Sequence, residues 1–242
     1  MITNYLWTEK YRPRTVNDYV WRDDEQQAQV RQWVSERNIP HLLFSGGPGT
    51  GKTTLAKVLM NDLGVEDYDI MQINASRDNG VDFIRDRIEG FVSTMPFGEF
   101  KVVLLDEADY LSPNAQAVLR GLMETYSSTA RFIMTCNYPN TIIPALHSRC
   151  QQFHFTKLDQ TEFTARAATV LVEENVDFDL DTLFKLMDEA LTSKDERVVN
   201  ALRSLLMIVT LTRVREDGDM AINDRANGPL RQIKQDLNDI SR

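Results

Sequence analysis

The segment GGPGTGKTT, residues 46–54, limits the possible folds of this chain more than any other part of it. It fits the pattern G-x-x-x-x-G-K-[ST] through Gly46, Gly51, Lys52 and Thr53. An apolar run at 41–45 precedes it, and a helical pattern over 53–63 follows. A phosphate chain needs several N–H groups converging in a small space. Glycines let the backbone curl and approach closely, and the next helix adds the partial positive charge of its N-terminus. Gly49, Thr50, Gly51, Lys52, Thr53 and Thr54 are therefore expected to hold phosphates. Lys52 is expected at the β- and γ-phosphates, and the Thr53 hydroxyl on Mg²⁺. The alternative is a glycine-rich turn with no ligand.

The surrounding pattern sets the fold class. Strands are expected at 41–45, 70–74, 101–106, 131–136 and 152–155. Helical stripes lie between them: Ile84, Ile88, Phe91 and Val92 in one, Ala115, Val118, Leu119, Leu122 and Met123 in another. Strand and helix in alternation predict an α/β domain with a five-stranded parallel sheet covered by helices on both faces. After residue 156 the pattern is helix only. Phe163, Ala167, Val170 and Leu171 form one stripe, and Val198, Leu202, Leu205, Leu206 and Val209 another. The expected organisation is a P-loop domain at 1–156, a small helical lid at 157–215, and a polar tail or domain stub at 216–242.

Two further strand ends carry chemistry. VVLLDEAD puts carboxylates at the C-terminal end of a buried strand, the edge where open α/β sheets bind ligands. Asp106 is placed to hold the Mg²⁺ shell, and Glu107 to orient or deprotonate an attacking water. Asp109 reads more simply as a cap for the next segment. RFIMTCN ends in Asn137, which either reaches the γ-phosphate or the lytic water, or forms a turn before Tyr138-Pro139.

The 242 residues carry a net charge of −9, whereas a purely electrostatic nucleic-acid binder is basic. Any DNA contact must be local or shared with partners. Cys136 and Cys150 have no metal or redox spacing and read as reduced thiols. No run is long and apolar enough for a membrane span, and the N-terminus lacks a signal layout. A cytoplasmic protein without a membrane partner is expected.

The ordered blocks EKYRP (9–13), GGPGTGKTT (46–54), NASRDNGVDFIR (74–85), LLDEADYLSPNAQAVLRGLME (104–124) and RFIMTCNYPNTIIPALHSRCQQFHF (131–155) together resemble one family. They are similar to the AAA+ clamp-loader ATPase subunits, namely the small subunits of replication factor C and the large subunit of T-even phage clamp loaders. The resemblance covers about residues 7–215. The opening of the chain and its short tail favour the phage form, which would act in the cytoplasm of a bacterial host.

The resemblance implies an ATPase that helps place a sliding clamp on primer–template DNA, within a ring of clamp-loader subunits. It implies an adenine site lined by Thr8, Glu9, Lys10, Tyr11 and Val20. It makes Arg149, in Ser148-Arg149-Cys150, an arginine finger that completes a neighbouring subunit's site. Arg197 matches the sensor 2 arginine of the lid, although Lys194 stands where Gly or Pro is usual. Arg77 and Arg85 fall near the DNA-tracking positions. Solvated surface arginines are the plain alternative for all of these. Family members carry a third helical domain, a collar, and this chain stops where the collar would begin. A truncated product, a natural short form and one part of a split subunit are all compatible with that. Two other functions compete: a different AAA+ machine, such as a helicase loader or branch-migration motor, and a regulatory subunit that binds nucleotide without turnover. A DEAD-type helicase needs a second RecA-like domain, for which 242 residues leave no room.

Overall fold

A computed structural model describes residues 12–17, 19, 21 and 24–156, with scattered positions between 164 and 185. The chain divides into two compact units, one of residues 14–16 and 21–157 and the other of the remainder. In the first unit the elements run α1 (Asp24–Glu36), β1 (Leu42–Gly46), α2 (Lys52–Asp62), β2 (Ile70–Asn74), α3 (Val81–Val92), β3 (Lys101–Asp106), α4 (Pro113–Thr125), β4 (Ala130–Cys136), α5 (Pro144–His147) and β5 (Gln151–Phe155). Every strand expected from the sequence is present, with its ends within one residue. The helix α1 was not anticipated.

The five strands form one sheet in the order β2-β3-β4-β1-β5, and every pairing is parallel. β1, β3 and β4 lie inside the sheet, are covered on both faces, and are almost wholly buried. β5 is an edge, and only Phe153 and Phe155 of its QQFHF are buried. On one face Leu43, Val103, Leu105, Phe132 and Met134 meet Ile84, Ile88 and Val92 of α3 and Ala115, Leu119 and Met123 of α4. Alternate residues, among them Phe44, point to the other face. There Phe44 stacks on Phe153 at 5.7 Å between ring centroids, and Phe153 on Trp33 of α1 at 5.6 Å.

Local chemistry sets the ends of α4. The Ser112 hydroxyl accepts from the Ala115 N–H at 3.3 Å, and Pro113 occupies the first turn, where a missing N–H costs nothing. At the other end of the sheet His41 Nδ1 accepts the Phe132 N–H at 3.2 Å. Burial, reinforced by the charge of Arg131, lowers the His41 pKa from 6.5 to about 4, so the ring is neutral.

In the second unit Ala167, Val170 and Leu171 are helical and buried. Leu183 is buried as well, while Phe163 and the expected stripe from Val198 to Val209 lie outside the described residues. No helix among the described residues is long and apolar enough to cross a membrane.

Candidate active site

β1 delivers the chain into the glycine loop at Gly46, which has φ +146°. A Cβ there would sit 2.2 Å from the carbonyl oxygen of Phe155 on β5, so only glycine fits. Gly51, at φ +92°, turns the chain into α2. The first helical bond runs from Leu55 N–H to the Gly51 carbonyl at 2.9 Å. The N–H groups of Lys52, Thr53 and Thr54 thus lie before the helical ladder begins, at the positive end of the helix. The Thr50 hydroxyl donates to the Gly47 carbonyl at 2.8 Å and braces the loop from within.

Lys52 is almost fully buried. Its ammonium donates to the carbonyls of Gly46 at 2.7 Å and Gly47 at 2.8 Å, and to Asn137 Oδ1 at 2.9 Å. Burial lowers its pKa, against the opposing pull of Cys136, Asp109, Asp106 and Glu107. The residues expected in three separate motifs therefore meet at one end of the sheet, where β1, β4 and β3 are neighbours.

The carboxylates lie across from the loop. Thr53 Oγ1 donates to Asp106 Oδ1 at 2.7 Å. Glu107 follows with φ 57° and ψ 45°, a left-handed conformation uncommon for any residue but glycine. The chain then makes a short 3₁₀ turn, Ala108–Tyr110. One residue missed in the sequence holds this corner. Thr135, buried on β4, accepts the Glu107 N–H at 3.0 Å and donates to Asp106 Oδ1. The signal was a lone hydroxyl inside an apolar strand, two residues before its polar end. Gln116 was also missed. Its side-chain amide donates to the Leu111 and Thr141 carbonyls, both at 3.0 Å, and its oxygen accepts from Ile143 N–H at 2.8 Å. It ties α4 to the segment leading into α5.

The expectation for Asp109 is corrected. Ser112 caps α4, while Asp109 Oδ2 accepts the Asn137 N–H at 3.3 Å. Asp109 is thus a neighbour of the site and not a helix cap.

Matches to known proteins agree with this geometry. Residues 42–158 match the family model "ATPase family associated with various cellular activities (AAA)". The replication factor C small subunit of Staphylothermus marinus is 41% identical over 217 residues, covering 88% of this chain and 65% of that protein. That of Aeropyrum pernix is 42% identical over 196 residues, covering 77% and 59%. Residues 42–158 thus carry an AAA ATPase domain, and the chain is similar to the AAA+ ATPases of clamp loaders. It spans less than two thirds of the length of either relative. Among solved structures, RuvB of Thermotoga maritima superimposes with a TM-score of 0.64 at 14% identity, over 85% of this chain and 69% of that one, a likeness of fold alone.

The remaining AAA+ positions fall in different places. Arg149 lies just before β5, where Gln151 pairs with Leu42, whereas the glycine loop leaves the sheet where Gly46 pairs with Phe155. Four residues of strand, about 13 Å, separate these two ends. Arg149 donates to the Ala145 carbonyl at 2.7 Å and forms an ion pair with Glu124 of α4. Arg77 and Arg85 are exposed, and Arg85 pairs with Asp82 at 3.0 Å. Thr8, Glu9, Lys10, Tyr11, Val20 and Arg197 lie outside the described residues.

Proposed function

We propose that this chain is the ATP-binding and ATP-hydrolysing subunit of a loader that places a sliding clamp on primer–template DNA during viral replication, with hydrolysis stimulated by clamp and DNA. The observation that carries this reading is the meeting of Lys52, Thr53, Asp106, Glu107 and Asn137 at one end of the sheet.

The chemistry follows from the positions. The amides at the start of α2, with Gly49, Thr50, Gly51 and Thr54, cradle the phosphates. Lys52 exchanges its carbonyl partners for phosphate oxygens. Thr53 Oγ1 and Asp106 Oδ1, 2.7 Å apart, are neighbouring oxygen donors of the kind Mg²⁺ takes and would hold the ion there. Among the described residues no cluster of three or more His, Cys, Asp or Glu side chains could hold a metal, so such an ion would rely on phosphate and water for its other ligands. Held there, Mg²⁺ would supply positive charge against the phosphate oxygens. Glu107 takes the proton of the attacking water, and its strained backbone aims the carboxylate away from the strand. Asn137 orients that water or the γ-phosphate. Thr8, Glu9, Lys10, Tyr11 and Val20 form the adenine pocket, and Arg197 closes the lid. Arg149, at the far end of the sheet from its own loop, acts on the nucleotide of the next subunit. Arg77 and Arg85 track the DNA backbone, and the exposed Arg85–Asp82 pair is weak enough to exchange for phosphate.

Single-turnover hydrolysis of MgATP by wild type and Glu107→Gln tests the reading. The variant is expected to bind MgATP within about threefold of wild type and to hydrolyse it about 10²–10⁴-fold more slowly. Hydrolysis that rises with both clamp and primed DNA supports loading. A Glu107→Gln protein as active as wild type overturns the assignment.

A further inference from the structure

Asp109 is the carboxylate of the DEAD segment that has no assigned task once Ser112 is known to cap α4. Its backbone lies in the 3₁₀ turn Ala108–Tyr110, entered through the left-handed Glu107. That turn sends the chain back, so that the side chain faces the end of β4. There the ladder between β1 and β4 stops at the Ser45–Cys136 pair. The next N–H, that of Asn137, finds its acceptor in Asp109 Oδ2 at 3.3 Å. Asn137 in turn presents Oδ1 to the Lys52 ammonium at 2.9 Å. A continuous chain of contacts thus runs from Asp109 through Asn137 to Lys52 and the glycine loop.

Two further observations separate this carboxylate from a solvated surface acid. Asp109 Oδ1 is buried and has no hydrogen-bond partner among the described residues, an arrangement that costs free energy and is kept only where something else requires it. Asp109 is also among the charged groups, after Cys136, that oppose the effect of burial on the Lys52 ammonium.

We infer that Asp109 is a positioning residue, which fixes the Asn137 side chain, and through it Lys52, at the place of the terminal phosphate. The inference rests on the nucleotide reading above. The Asp109 oxygen replaces the missing ladder acceptor. Without it the Asn137 peptide is free to rotate, and the side chain loses its aim.

Affinities for MgATP and MgADP, measured by calorimetry on the full chain, test this. The variants are Asp109→Ala, Asp109→Asn, Asn137→Ala and the double variant Asp109→Ala/Asn137→Ala. Wild type is expected to prefer ATP. Both alanine variants should reduce that preference by about three- to tenfold, the effect of one lost hydrogen bond, and the double variant no further. Asp109→Asn, whose amide oxygen still accepts the Asn137 N–H, should keep the wild-type preference. Asp109→Ser, polar but too short to reach Asn137, replaces the alanine variant if that does not fold. An unchanged ATP preference in Asp109→Ala or in Asn137→Ala overturns the inference. So does an Asp109 effect that multiplies undiminished onto Asn137→Ala, or an Asp109→Asn as defective as the alanine. Wild-type protein that binds no MgATP sinks the nucleotide reading itself and this inference with it, an outcome distinct from the others.

Discussion

Thr135 shows how much one hydroxyl can organise. It is buried, accepts from Glu107 N–H, and donates to Asp106. Thr135→Val keeps the shape and removes both bonds, stranding a backbone N–H. We expect a loss of about 1–3 kcal/mol in urea unfolding and slower hydrolysis, because Glu107 loses the anchor of its strained backbone. A variant as stable and as active as wild type would show that the corner is held elsewhere. His41 gives a prediction in pH. Its folded pKa of about 4 lies below the ordinary 6.5, so between these values the unfolded chain binds more protons than the folded one. Its contribution to stability is complete above pH 6.5 and is lost as pH falls towards 4. His41→Asn, which still offers an acceptor to Phe132 N–H, should lose less melting temperature than wild type between pH 7 and pH 5. Equal losses would contradict the neutral ring.

At the scale of elements, the sheet was legible in the sequence and much of the site was not. Continuous apolar runs such as KVVLL mark strands buried on both faces, and the glycine motif marks the turn after β1. Thr135 and Gln116 were hidden because their importance lies in long-range bonds. Gln116 reaches Thr141 and Ile143 across 25 and 27 residues, and no local spacing announces such a partner. α1 was hidden for a different reason. Of its thirteen residues only Val30 and Trp33 are buried, too few for a stripe to stand out. Asp109 looked like a cap because its neighbourhood is polar, and the true cap stood three residues on. Gly46 supplies the sharpest test of the sheet. Gly46→Ala would strike the Phe155 carbonyl and force a rare backbone conformation, at a cost of about 1–3 kcal/mol for the conformation alone. Its melting temperature should fall well below that of Gly47→Ala, because a Cβ at Gly47 meets nothing within 4 Å. Equal melting of the two variants would mean that β5 moves aside freely.

Over the whole molecule, the two groups with proposed parts in hydrolysis stand apart. The glycine loop leaves one end of the sheet and Arg149 precedes the other. Arg149→Ala should therefore leave MgATP binding by its own chain within about twofold of wild type, while hydrolysis in an assembled loader falls by about 10³-fold or more, as for other trans arginines. Mixing this variant with Glu107→Gln protein gives the sign. If the finger acts across a boundary, the mixture recovers some activity, because some junctions then pair an intact glutamate with an intact arginine. If it acts on its own chain, no mixture recovers any. Glu124 holds Arg149 in a partly exposed ion pair, so losing that pair should cost at most about 1 kcal/mol of stability.

The polarity of the sheet has a geometric consequence. If Arg149 serves a neighbour as proposed, the strand ends that carry it and the glycine loop lie about 13 Å apart on one protomer, and head-to-tail stacking would let each added copy finish the centre of the one before it. Such stacking closes into a ring or winds on as a spiral, and in any open run one terminal centre always lacks its arginine.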